Sequence, residues 1–176
     1  MQKLVAKHWG KIRATPAEKQ EQIKKLYASV KAGGGNATAG QAIFVKKCGV
    51  CHTLFGEGGK TGPDLTGYER SNLDFLTTAM VDPSAAIREE FTSFAVVTTD
   101  GRTLTGLIDK QDTRTVVLRG ADNRTVLLNR DDIEELQALP ISLMPENQLN
   151  DLPEQGVRDL FAYLMSRAPA KTLSAK

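Results

Sequence analysis

Cys48-Gly49-Val50-Cys51-His52 is the stretch on which the reading of this 176-residue chain turns. C-x-x-C-H is the attachment pattern of a c-type haem. The spacing follows from the chemistry: two thiols must reach the two vinyl groups on one porphyrin edge, and the next residue must set an imidazole on the iron. Cys48 and Cys51 are therefore expected to carry one covalent haem c, and His52 to be its proximal axial ligand. A thioredoxin-type redox pair or half of a zinc site shares the two cysteines. Disulfide chemistry has no use for the histidine, however, and the chain has only 2 Cys, too few for a paired zinc site.

Composition sets the frame around the motif. With 40% hydrophobic residues the chain can bury a core in one or two domains. A formal net charge of +2, with both signs interspersed, suggests neither a nucleic-acid stripe nor a membrane-seeking face. No run of 18 or more apolar residues occurs, so no membrane span is predicted. Met1-Gln2-Lys3-Leu4 lacks the pattern of a signal peptide. Covalent haem attachment normally takes place outside the cytoplasm, so the expectation is a piece of a longer protein, periplasmic or otherwise exported.

Along the chain, Thr15-Pro16-Ala17-Glu18 reads as N-cap, N1 and the N3 acid of a capping box. Ile23, Leu26, Tyr27 and Val30 make an amphipathic stripe behind it. Gly33-Gly34-Gly35 breaks that helix, and a second helix from Ala39 to Lys47 delivers Cys48. Residues 53–66 read as a loop. Ser71 and Asp74 predict the cap of a short third helix carrying Leu73, Leu76 and Met80, and Asp82-Pro83, as an N-cap and N1 pair, predicts a turn through Ile87. From Phe91 to Leu139 the pattern changes to four or five short β-branched runs. Asp100-Gly101 and the Gly120–Asn123 cluster are hairpin signals, and the block predicts a small antiparallel sheet or barrel. A last helix starts near Pro153 and carries the stripe Val157, Leu160, Phe161, Leu164 and Met165.

Six-coordinate iron needs a second axial ligand. The inventory is His8 and four methionines: Met1, Met80, Met144 and Met165. Met80 and Met165 fall on apolar helix positions, where filling a core is the expected role. Met144 lies between Pro140 and Pro145, in a loop stiffened by prolines, and is the expected distal ligand. His8, beyond the glycine break, is the alternative.

These residues resemble class I cytochromes c. Gly40 and Phe44 resemble the pair on the family's N-terminal helix, and Leu160 and Tyr163 the facing pair on its C-terminal helix. Gly62-Pro63-Asp64-Leu65 resembles the turn whose proline carbonyl accepts a hydrogen bond from the axial histidine. The resemblance thus implies that role for Pro63 toward His52. His52 and Met144 are 144 − 52 = 92 positions apart, far more than in a minimal member, and the strand-rich block is the excess. The run from Gly40 to Arg167, with Asp82-Pro83-Ser84, Asp100-Gly101-Arg102 and Ser142-Leu143-Met144-Pro145, is similar to a haem-binding domain of Planctomycetes and Verrucomicrobia. That likeness implies a C-terminal module of a large exported protein, often behind a sugar-dehydrogenase-like propeller.

The expected fold is a mainly α cytochrome c fold with an inserted small antiparallel β-sheet or barrel. Its expected segments are an N-terminal helix with glycine linker (1–35), the C-x-x-C-H part (36–90), the β insert (91–139), the Met loop with C-terminal helix (140–168) and a tail (169–176). Two thioethers with His and Met ligation suit one-electron transfer to a redox partner protein or an upstream dehydrogenase domain. A haem peroxidase, or a sensor with a labile distal Met, is the alternative.

Overall fold

The computed structural model describes residues 9–169. A short strand β1 (Trp9–Ile12) leads into helix α1 (Ala17–Lys31), and helix α2 (Ala37–Lys47) ends at the cysteine motif. Strands β2 (Thr53–Leu54) and β3 (Glu57–Gly58) form a small hairpin, followed by helix α3 (Leu73–Val81) and strand β4 (Ala86–Arg88). Five strands follow: β5 (Ser93–Thr98), β6 (Thr103–Gln111), β7 (Thr115–Arg119), β8 (Thr125–Asn129) and β9 (Ile133–Ala138). Helix α4 (Glu154–Leu164) closes the fold.

The core is organised by the crossing of α2 and α4. Gly40 permits it: a Cβ there would lie 1.9 Å from the Asp159 carbonyl oxygen. Phe44 and Tyr163, one from each helix, meet at a ring-centroid distance of 5.5 Å. Around them Leu54, Leu76, Met80, Leu160, Phe161 and Leu164 complete the buried cluster. The start of α2 is tied to the same place. Asn36 caps α2 with its side chain, and its backbone N–H donates to the Asp159 carboxylate at 2.7 Å. Gly35 also lies against α4, since a Cβ there would meet the Arg158 carbonyl at 2.2 Å.

Helix α1 has no fully buried residue, yet Leu26 and Val30 rest on the central cluster. The capping box expected at its start does not form. Pro16 is the N-cap and makes no side-chain cap, because proline has no capping oxygen. At α3 the cap falls on Asn72, whose side chain accepts from Phe75 N–H, and not on Ser71. Asp82 ends α3 and, as expected, opens a turn, with Ala85 N–H donating to the Asp82 carbonyl at 2.9 Å. The turn stops short of Ile87, because β4 begins at Ala86 and pairs antiparallel with β1.

The β block is one five-stranded antiparallel sheet in the order β8-β7-β6-β5-β9. Its own small core is Val96, Leu118 and Leu128, flanked by Leu104, Ile133 and Leu136. Strands β8 and β9 lie at opposite edges but are joined by only Arg130–Asp132. Four strand spacings of about 4.8 Å span roughly 19 Å in a flat sheet. Four Cα steps reach about 15 Å at most, so the sheet must curl. No ladder joins β8 to β9, which makes this an open curled sheet and not the closed barrel that was the second expectation.

Candidate functional site

One predominantly apolar cavity of about 270 Å³ lies between the cysteine motif, α3, β4, the 142–149 segment and α4. Cys48, Cys51, His52, Pro63 and Met144, all the residues expected at the site except His8, are on its walls. His8 and Met1 lie outside the described residues. Met80 lines the cavity from α3 while filling the core, as its position predicted. Met165 departs from expectation. It is the residue just after α4 and is 37% exposed, because the helix has already ended at Leu164.

The motif forms a tight turn at the end of α2. Cys51 N–H and His52 N–H both donate to the Cys48 carbonyl, at 3.0 and 2.8 Å. Both cysteines and the histidine of the motif line the one cavity. The loop that follows closes tightly over the turn. A Cβ at Gly58 would meet the His52 carbonyl at 2.1 Å, and one at Gly59 the Val50 carbonyl at 2.0 Å. Residues 53–66, expected as plain loop, hold the β2–β3 hairpin, with Phe55 and Gly56 at positive φ.

His52 Nδ1 lies 3.0 Å from the Pro63 carbonyl oxygen. A carbonyl can only accept, so Nδ1 carries the proton and the Nε2 lone pair is left free. Burial pushes the imidazole below its usual pKa, and the Pro63 bond opposes this only in part. The ring is therefore neutral and ready to ligate. Gly62 supports it from beneath: a Cβ at this position would stand 2.6 Å from His52 Cε1. Burial pushes the Cys48 thiol up to about 11 and raises that of Cys51, so both stay protonated until they react.

The Met144 loop is pinned from its upstream side. Leu139 N–H donates to the Ser93 carbonyl, Ser93 Oγ donates to the Ile141 carbonyl, and Ser142 N–H donates to Ser84 Oγ. Ser142 Oγ then accepts from Met144 N–H at 3.1 Å. The β7–β8 turn also reaches the motif. The Ala121 carbonyl lies 3.9 Å from Cys51 Sγ, and Thr61 Oγ1 donates to Asn123 Oδ1 at 3.0 Å. Leu107 of β6 and Ala121 also line the cavity, so the sheet supplies part of its wall.

Two charged residues on the wall have roles that the sequence did not signal. Arg70 donates through Nη1 to the Leu164 and Ser166 carbonyls at 2.6 and 2.7 Å, closing the end of α4. Its Nε is buried with no partner. An orphaned cationic donor of this kind is costly unless an anionic group completes it. Asp82 is fully buried. It accepts from Arg13 at 2.6 and 3.0 Å and from Lys19 at 3.0 Å. Burial alone would raise its pKa, but Lys19 and Arg13 outweigh that and hold it below the ordinary carboxylate value.

These features fit a haem. Two protonated thiols, a free imidazole nitrogen and a thioether face an apolar cavity of the described residues, and the buried Arg70 Nε offers a donor to an acidic substituent. Among the described residues no group of three or more His, Cys, Asp and Glu gathers as an independent metal centre. A family model described as Cytochrome c matches residues 37–168, which spans the motif, the sheet and α4. No curated protein matches the chain.

Proposed function

Because the chain belongs to the cytochrome c family, we propose that it carries a single electron between redox partners, its haem iron held by His52 on one side and Met144 on the other. A cytochrome c domain holds haem c covalently with its iron, and that group supplies the one-electron couple. Cys48 and Cys51 are the two attachment thiols. Pro63 fixes the imidazole plane and strengthens the His52 nitrogen as a donor through the Nδ1–H bond. Met144 supplies a neutral thioether, which favours Fe(II) and raises the potential. The apolar walls exclude water and act in the same direction.

The observation that carries this reading is the His52 tautomer. Its Nδ1–H is committed to Pro63, so Nε2 is free toward the cavity that Met144 also lines. The peroxidase alternative needs a free acid or base in the cavity. The buried carboxylate there, Asp82, is engaged by Arg13 and Lys19, which speaks for electron transfer. Val50, between the two cysteines, is 56% exposed, and Val45 on the preceding turn is 60% exposed. This apolar ground beside the attachment edge is where a redox partner would approach. The phrases shared with the Planctomycetes and Verrucomicrobia domain support a role as the electron-accepting C-terminal module of a larger exported protein, with an upstream dehydrogenase domain as donor.

The test is the sixth ligand. The oxidised protein is expected to show the weak long-wavelength sulfur-to-iron band. Met144→Ala removes the band, and Met144→His lowers the reduction potential, because imidazole stabilises Fe(III) better than a thioether. A band that survives Met144→Ala and disappears in Met80→Leu would move the ligand to α3.

A further inference from the structure

The distal loop is fastened unevenly. Upstream of Met144, backbone and serine hydrogen bonds tie residues 139–142 to β5 and to Ser84. Downstream, Leu149 and Leu152 rest on the central cluster, but the polar ties are sparse. Asn150 N–H donates to the Asn147 carbonyl within the segment itself, and the next side-chain link to another element is Lys47 with Asp151. Between Met144 and Asp151, among the described residues, one side-chain bond leaves the segment: Lys19 Nζ to Glu146 Oε1 at 2.5 Å. The same ammonium reaches the fully buried Asp82 Oδ1 at 3.0 Å. Lys19 belongs to α1, outside the matched residues 37–168.

We infer that Lys19 is a positioning residue for the axial methionine: it links the Met144 loop, through Glu146, to the buried Asp82 at the end of α3. The inference rests on Met144 as sixth ligand. Three observations carry it. Asp82 is a firm anchor, since its side chain is wholly inaccessible and Arg13 holds both of its oxygens. The lysine is itself mostly covered, at 18% side-chain exposure against 44% for Glu146, so solvent screens this bridge less than a pair open at both ends. Finally, Glu146 is separated from Met144 only by Pro145, whose ring restricts the backbone and transmits a shift of one residue to the other. Release of Glu146 therefore lets the downstream half of the loop move, and the thioether leaves the iron more readily.

Imidazole, which competes with a weakly held axial thioether in the ferric protein, reads this out on the intact holoprotein. At a pH where free imidazole is neutral, Lys19→Met and Glu146→Ala are each expected to raise its apparent affinity roughly tenfold, equivalent to about 1.4 kcal/mol of loop closure. Lys19→Arg, which keeps a cation in reach, restores the affinity. The double variant goes no further than either single one, as expected for two partners of one link. Lys24→Met removes the same charge from the same helix at a pair that touches only Glu21, and leaves imidazole binding unchanged. Unchanged affinity in both Lys19→Met and Glu146→Ala overturns the inference, and so does an equal rise in Lys24→Met, which would mark a general charge effect. Met144→Ala separates the two levels. If it leaves the sulfur-to-iron band intact, the ligand assignment fails, and this inference fails with it. If it removes the band while the Lys19 and Glu146 variants bind as wild type, the ligand stands and the positioning role falls.

Discussion

Replacing Gly62 by alanine adds one methyl group directly beneath the His52 ring. The new Cβ would stand 2.6 Å from Cε1, 2.8 Å from Nδ1 and 3.1 Å from Nε2, where ordinary contact begins near 3.4 Å. The imidazole must therefore retreat by about 0.8 Å, the difference between 2.6 and 3.4 Å. Its Nδ1–H is held at 3.0 Å by the Pro63 carbonyl, so it cannot retreat without stretching or bending that bond. Gly62 does not have a left-handed φ, which leaves the ring, and not the backbone, to bear the strain. Overpacking of this kind costs about 1–3 kcal/mol, and a weakened hydrogen bond adds up to about 1. Reduced freedom of the unfolded chain returns about 0.4–1. The expected net loss is about 2 kcal/mol, which with a urea m-value near 2 kcal/mol/M moves the unfolding midpoint down by roughly 1 M. Urea titration of the holoprotein by circular dichroism measures this, and a potentiometric titration of the same sample reports the altered ligand. A variant with the wild-type midpoint in urea and the wild-type potential would show that the ring has slack, and would refute the argument that Gly62 and Pro63 together fix it.

Gly40→Ala places a Cβ 1.9 Å from the Asp159 carbonyl oxygen and must push α2 and α4 apart. The gain in helix propensity, about 1 kcal/mol, is outweighed, and a net loss of about 2 kcal/mol or more in urea unfolding is expected. Asp82→Asn should cost about 3 kcal/mol near neutral pH, the lower end for a broken buried pair because Arg13 and Lys19 both retain contact with water. The folded pKa of Asp82 lies below its unfolded value. The unfolded state therefore binds the proton first, and the stabilisation is complete above about pH 4 and disappears as the pH falls through the folded pKa. Unfolding titrations of wild type and Asp82→Asn should accordingly converge in strong acid, and a constant gap down to the lowest pH would contradict this.

The parts of the site that were legible in the sequence are those written locally. Cys48, Cys51 and His52 sit within one turn, Gly62-Pro63 follows 10 positions after His52, and alternating β-branched residues with Asp100-Gly101 define hairpins through neighbouring residues. The unforeseen parts depend on distant partners. Arg13 and Lys19 reach Asp82 from 69 and 63 positions away, and Arg70 reaches Leu164 from 94. Nothing local distinguishes those cations from solvated ones. The Asp82-Pro83 pattern was legible only in part for a related reason. It opens the expected turn, but its carboxylate is taken by Arg13 and Lys19 and caps nothing. Likewise the triple glycine resembles a tether by composition, whereas Gly35 is glycine because the α4 backbone lies against it.

The lid that the β7–β8 turn places on Cys51 has a consequence for the order of assembly. In the finished fold the Ala121 carbonyl rests against that sulfur, and the Cys48 thiol is shielded deeply enough to remain protonated well into alkaline pH. A thiol in that condition is a poor nucleophile, so attachment is easier before the fold closes around it. Haem is therefore expected to be joined most readily while the hairpin is still undocked. Chain order favours this sequence of events, because Ala121 follows Cys51 by 70 residues and the motif is exposed before its cover exists. Variants that speed the docking of the sheet would then be expected to yield more stable apoprotein and less holoprotein.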